Sequence, residues 1–284
     1  MITATGFVLA LAAAVSFATY SLIARVLAKA SRDPLAFSIL YGAWSSILAF
    51  PIFLFEPWKF GVITPMILFV TFLATVFFAI FQGTEFFSRK HLEASRLTVL
   101  FQLTPAITFL GAILLLQESI SVEKLAAITL IVGGNIIAIY KHGGHVTFRG
   151  LFFGLITVTS LAFAYIADKA AFAFYPLGLY IIITYLMPSL YATPLLGKEW
   201  VARLKDEIRA TSWRLPVLGA ISVLGYYLLL STFRIAEASV AVPIIYLSTI
   251  LTTFGGIFIL KEKSNVLQKV CGAVLVFLGV ILLR

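Results

Sequence analysis

The sequence predicts an all-α integral membrane fold: ten transmembrane helices arranged as two inverted five-helix repeats. Three observations carry that prediction. Of 284 residues, 61% are hydrophobic and 12% charged, against about half and about a quarter in soluble domains. The apolar stretches run on past the one-sided stripe of a soluble helix, and at roughly 28 residues per span and connection the chain holds about ten crossings. The sequence also matches itself when shifted by 144 residues. Such composition excludes disorder, because a chain this apolar cannot stay solvated.

The spans fall near 4–27, 35–55, 63–88, 94–116, 121–140, 149–168, 177–196, 214–233, 238–260 and 266–283. They are helices: each is about twice the length of a barrel strand and lacks its two-residue alternation. The first apolar run, Gly6 to Ala24, has no basic stretch before it and reads as a spanning helix, not a cleaved signal. Most connections are short, so successive helices are antiparallel neighbours. The exception is Lys198 to Trp213, where Trp200, Leu204 and Ile208 recur every four residues among charged neighbours. That pattern predicts a short amphipathic helix on the membrane surface.

Under the 144-residue shift, Glu93-Ala94-Ser95 falls on Glu237-Ala238-Ser239, Thr108 on Thr252, Gly111 on Gly255 and Glu118 on Glu262. Gly6 meets Gly150 and Ser16 meets Ser160. Leu and Val identities arise easily in apolar sequence; acidic, Ser, Thr and Gly matches are informative, since those residues are scarce or conformationally special in a bilayer. The halves are therefore 1–142 and 147–284. Five crossings per half bring the second half in from the opposite side, which inverts it relative to the first. Inverted repeats are the architecture of secondary transporters, with solute bound near mid-membrane between them.

The first half carries Glu93-Ala94-Ser95, Leu103-Thr104-Pro105, Glu118 and Gly133-Gly134. The second carries Glu237-Ala238-Ser239, Leu247-Ser248-Thr249, Glu262, Gly272 and Gly279. This paired pattern resembles the ten-helix EamA-type branch of the drug/metabolite transporter superfamily, over the whole chain. Thr249 stands where the first half has Pro105, and Pro243 lies six residues earlier, so any kink there is displaced. The resemblance implies export or exchange of small organic solutes. It also implies a cavity lined by spans 1, 3, 4, 6, 8 and 9, with spans 5 and 10 at the periphery or a dimer contact.

Uncharged polar residues inside apolar runs are the candidate cavity residues. Ser16 and Tyr20 lie one turn apart on span 1, with Ser160 at the mate position on span 6. Gln82 on span 3 is matched by Tyr226 on span 8, and Gln102 on span 4 by Tyr246 on span 9. Glu85 shares a helical face with Gln82 and has Arg89 one turn on as a partner, the alternative being proton coupling or recognition of a solute amine. Asp168 and Lys169 read as an adjacent pair. Tyr165, Tyr226, Tyr227 and Tyr246 stand near polar partners, where they can stack on a flat or cationic solute. Glu93, Glu118, Glu237 and Glu262 sit at span junctions, where carboxylates accept hydrogen bonds from the first amides of the next helix and hold a hairpin.

The charge of +9 is dispersed through the connections, which argues for juxtamembrane placement and against a nucleic-acid partner. The single cysteine, Cys271, excludes an internal disulfide or a multi-Cys metal site, and His142 and His145 lack the acidic neighbours a metal needs. Connections after odd-numbered spans hold sixteen of the 21 Lys and Arg, placing them in the cytoplasm and both termini outside by charge bias; the resemblance implies cytoplasmic termini. Both readings put the termini on one side.

No Gly-rich loop ends in Lys-Ser/Thr, so ATP is not the expected energy source. The reading is therefore a cofactor-free secondary transporter of the plasma (inner) membrane, not an enzyme, acting as monomer or homodimer. Its expected solute is an amino acid, with aromatic or apolar side chains favoured, or a related amphipathic amine. A non-transporting scaffold, or an intramembrane lipid-modifying enzyme using clustered acids, are the rival classes.

Overall fold

The computed structural model describes residues 2–28, 30–91, 99–140, 148–258 and 266–283, and among these the regular elements are all helical. In chain order they are α1 (Ala4–Ala28), α2 (Pro34–Phe55), α3 (Pro65–His91), α4 (Leu103–Leu116), α5 (Val122–Ile139) and α6 (Phe148–Ala171). Then follow α7 (Leu177–Ala192), α8 (Trp200–Thr211), α9 (Arg214–Phe233), α10 (Ala238–Ile245), α11 (Leu247–Phe258) and α12 (Val266–Leu282). Nine stretches among the described residues are long and apolar enough to cross a bilayer, and Leu267–Leu282 is a shorter tenth. The ten-helix prediction therefore holds. Spans four and nine are each assembled from two pieces.

Local chemistry sets the helix ends. Asp33 caps α2, its Oδ1 accepting from Leu35 N (3.1 Å) and Ala36 N (3.3 Å) with Pro34 in the first turn. Ser121 caps α5 by accepting from Lys124 N at 3.2 Å. α4 stops at Gln117, whose φ of 56° turns the chain left-handed. α7 ends at Ala192, four residues short of the expected boundary, because Thr193–Leu196 tightens into a 3-10 turn containing Pro194.

Helix pairing relates the two repeats by a twofold exchange. α1 packs on α9 and α3 on α6; α2 packs on α7, α4 on α10, and α5 on α12. Exchanging the two repeats turns the first of these pairs into the second, leaves α2–α7 and α5–α12 as they are, and keeps α4–α10 within the contact of span four with span nine. Single contacts obey the same exchange. A side chain at Gly111 would run into Ile166, and one at Gly255 into Leu22, the same contact related by the 144-residue shift. Between α5 and α12, a Cβ at Gly134 would lie 2.7 Å from the Gly272 carbonyl oxygen, and a Cβ at Gly272 would lie 2.6 Å from the Ala138 Cβ. Helices in lipid associate through such close backbone approach. Here spans 5 and 10 spend it on each other.

α8 is the predicted amphipathic segment, but its polar residues anchor it. Arg203 Nε donates to Asp33 Oδ2 at 2.5 Å, and the fully buried Glu207 accepts from the backbone N–H groups of Arg32 and Asp33, both at 2.9 Å. Burial opposes charge on Asp33, but the Arg203 guanidinium and the Ala36 and Leu35 amides outweigh it and hold the carboxyl below its ordinary value. Trp200 and Ile208 remain about half exposed, at 46% and 45%. Ile2 shares a cavity with Arg234 and Val240, and Gly279 near the end of α12 meets Ala127 and Ile131 of α5.

Candidate functional site

Spans four and nine break at equivalent positions. The helical run of span four is interrupted at Gln102 (φ −71°, ψ −11°) and that of span nine at Tyr246 (φ −69°, ψ −4°). Pro105 follows the first break by three residues and Pro243 precedes the second by three, so the missing proline N–H groups loosen each ladder from opposite ends. Gln102 is fully buried and its Nε2 donates to Thr249 Oγ1 at 3.2 Å, joining the two broken spans. Tyr246 approaches Thr104, and Thr108 and Thr252, equivalent under the shift, are both buried nearby in sequence. Discontinuous helices in a bilayer expose backbone polar groups toward a central site.

A file of aromatic rings lies across the axis between the repeats. Tyr20 on α1 contacts Tyr41 on α2 (5.8 Å between centroids), and Tyr41 meets Tyr185 on α7 edge to face (5.9 Å). Tyr185 meets Tyr226 on α9 (5.6 Å), Tyr226 meets Phe78 on α3 (5.9 Å), and Phe78 meets Tyr165 on α6 (6.5 Å). Tyr41 and Tyr185 are equivalent under the 144-residue shift, and both hydroxyls reach Ser222 Oγ, that of Tyr185 at 2.7 Å. The rings present flat electron-rich faces, and Ser222 fixes two of them where the repeats meet.

Asp168 joins this file at Tyr226 and is fully buried. Its Oδ1 accepts from Tyr180 (2.9 Å) and its Oδ2 from Tyr226 (2.8 Å). The expected Asp168–Lys169 pair is corrected: successive helical residues point about 100° apart, and Lys169 Nζ donates to the carbonyl oxygens of Phe233 and Ala236 where α9 ends.

At the terminal face the repeats interlock. Glu118 accepts from Ala238 N (2.7 Å) and Ser239 N (2.9 Å) at the start of α10, while Lys124 pairs with Glu237. Burial opposes the charge of Glu237, but Lys124 and then Ser119 overcome it and hold the carboxyl below its usual value. Tyr227 donates to Glu56 Oε1 at 2.8 Å, with Arg234 at 3.5 Å from Oε2. Lys169, Arg234 and Glu237 border a cavity of about 360 Å³ here.

Of the sequence-derived candidates, Tyr20, Tyr165 and Tyr226 enter the ring file, and Gln102 and Tyr246 mark the helix breaks. Gln82 is apart from both: its Oε1 accepts from Ser38 at 3.3 Å. Ser16 is buried against Gly225 and bonds back to Ala12 O at 3.0 Å, and Ser160 is buried within α6. Glu85 is half-buried on α3. The side chains of Arg89 and His91, and Glu93, Glu262, His142 and His145, lie outside the described residues. Tyr41, Tyr180, Tyr185 and Ser222 escaped the sequence reading, although carrying the shift to Tyr41 lands on Tyr185.

The EamA-like transporter family model matches residues 4–140 and again residues 148–284. The chain belongs to the EamA-like transporter family. Each match is one five-helix repeat, so this EamA chain is a multi-pass membrane transporter of the drug/metabolite type. No curated protein matches it. Among 28 matching chains of solved structures, one crystal structure shares 14% identity at a TM-score of 0.71, over 98% of this chain and 96% of its own. That likeness concerns the fold of the EamA chain.

Proposed function

We propose that this transporter is a gradient-driven carrier of the plasma membrane that exports or exchanges small organic metabolites. Its solutes are amino acids with aromatic or apolar side chains, or related amphipathic amines, and it works by alternating access as a monomer or homodimer without a cofactor. The supporting observation is the pair of equivalent helix breaks at Gln102 and Tyr246, bridged by the Gln102–Thr249 hydrogen bond. Breaks facing one another across a pseudo-twofold axis give the two repeats a shared hinge region, and exchanging the conformations of the repeats then exchanges the open face. The tyrosine file beside them suits flat or cationic solutes, through stacking and cation–π attraction.

The test is flux. Protein reconstituted in liposomes loaded with the twenty standard amino acids, tyramine and phenylethylamine should release or exchange a subset, read by mass spectrometry of the outer solution. Rings touching across the axis favour the scaffold reading as the second one. Absence of flux for every probe would leave that reading standing.

A further inference from the structure

Asp168 lies six residues inside the end of its apolar span at Phe174, the last three of them a 3-10 turn. A carboxylate without exposed surface at that depth is costly unless its charge is met. The groups around it are neutral phenols: Tyr180 and Tyr185 from α7, Tyr226 from α9, and Tyr165 from its own helix. α3 offers Phe78 against Tyr165 and Tyr226, α4 offers Gly111 against Ile166, and Tyr246 after α10 stands beside Tyr165. The adjacent cation, Lys169, is committed to the α9 carbonyls, and Glu118 and Glu237 act on that lysine.

The repeat register does not call for this carboxylate. Under the repeat shift Asp168, Tyr180 and Tyr226 correspond to Ala24, Ala36 and Gln82. The first repeat therefore carries no acid at the position equivalent to Asp168. Both oxygens of Asp168 are already covered by phenols, so the cation that fits is one needing no volume. The terminal-face cavity is lined by Lys169, the residue next to it in sequence.

Resting on the transporter reading above, we propose that Asp168 is the proton-binding carboxylate that couples solute movement to a proton gradient. Tyr180 and Tyr226 are the positioning residues that sense its charge. The ionised carboxylate accepts from both phenols. When it takes a proton from water on one face, the new O–H is a donor and one acceptor site is lost. The phenol facing the new O–H then accepts from it and turns its own hydrogen to another acceptor, which changes how α6 is tied to α7 or to α9. Release of that proton to the opposite face restores both bonds, and the phenols stay neutral throughout.

The experiment uses proteoliposomes loaded with the same amino acids and amines, with and without an imposed pH gradient. Wild-type protein should accumulate the transported probe about tenfold per unit of pH gradient at one proton per solute. Asp168→Asn should lose that gradient-driven accumulation, and Asp168→Glu should restore it with a displaced pH profile. If the Asn variant fails to fold, Tyr226→Phe carries the test: removing one donor to the carboxylate should move the profile toward higher pH. Wild-type accumulation indifferent to the gradient, gradient-driven accumulation surviving in Asp168→Asn, or an unmoved profile in Tyr226→Phe overturns the proton assignment alone. No movement of any probe by wild-type protein overturns the transport reading beneath it.

Discussion

Glu118, which follows α4 in the first repeat, caps the helix that begins at Ala238 in the second. Its two oxygens accept from Ala238 N at 2.7 Å and Ser239 N at 2.9 Å. Sequence reading gave Glu118 the amides of the next helix, but that helix is served by Ser121. The carboxylate is released to cross between the repeats, where it meets the positive end of α10. With the Lys124–Glu237 pair, it makes the terminal face a fastening between halves.

Replacing Glu118 with alanine should lower stability by about 1.5–3 kcal/mol, the range for hydrogen bonds to a charged group. Thermal unfolding in detergent measures this, with Ser121→Ala as the comparison within one repeat. A Glu118→Ala protein as stable as wild type would mean that water replaces the cap without loss.

Gly133 and Gly134 are adjacent on α5 but face different surroundings. A Cβ at Gly134 would lie 2.7 Å from the Gly272 oxygen and 2.9 Å from Leu275 Cβ, whereas one at Gly133 meets nothing within 4 Å. Gly134→Ala should therefore destabilise by about 1–3 kcal/mol through forced separation of α5 and α12. Gly133→Ala should be neutral, or stabilising by up to roughly 1 kcal/mol, from reduced backbone freedom. Paired unfolding curves settle the contrast, and equal effects at the two sites would contradict the packing described.

On the proposed transport function, Gln102→Ala removes the bridge between the broken spans. An amide–hydroxyl bond in a membrane is worth about 0.6–2 kcal/mol, so flux should fall about three- to thirtyfold while folded yield is kept. Tyr246→Ala should behave alike. Loss of folded protein in step with flux would mark both residues as helix glue.

The Asp33–Arg203 link predicts an acid-sensitive element. The folded Asp33 carboxyl titrates below its ordinary value of 3.8, so its contribution to stability is complete above that value and is lost as pH falls through the lower folded one. Wild-type protein should unfold at a higher temperature than Asp33→Asn at neutral pH, and the gap should close on acidification below 3.8. A gap that persists in acid would assign the effect to helix capping alone.

Legibility in the sequence differed sharply between fold and site. α2, α9 and the start of α10 fall within one residue of their expected limits, because the length of an apolar run is a local property. Gln102 and Tyr246 were legible as a matched pair through the repeat register. Tyr41 and Tyr185 hid among eleven tyrosines, since an aromatic residue reads the same whether it faces lipid, core or the axis. Asp168 was visible as an acid in a span, yet its nearest charge in sequence points elsewhere.

The sequence by itself determined ten crossings, two repeats and their inversion, because hydrophobic length and the parity of five crossings leave no other arrangement in a bilayer. Only the tertiary structure decided partners: Glu118 with Ala238, Asp168 with Tyr180 and Tyr226, and Gly134 with Gly272. In a chain this uniformly apolar no hydrophobic stripe marks which face meets which neighbour. Pairing is set instead by where small residues let backbones approach and where scarce polar groups reach one another across helices far apart in sequence.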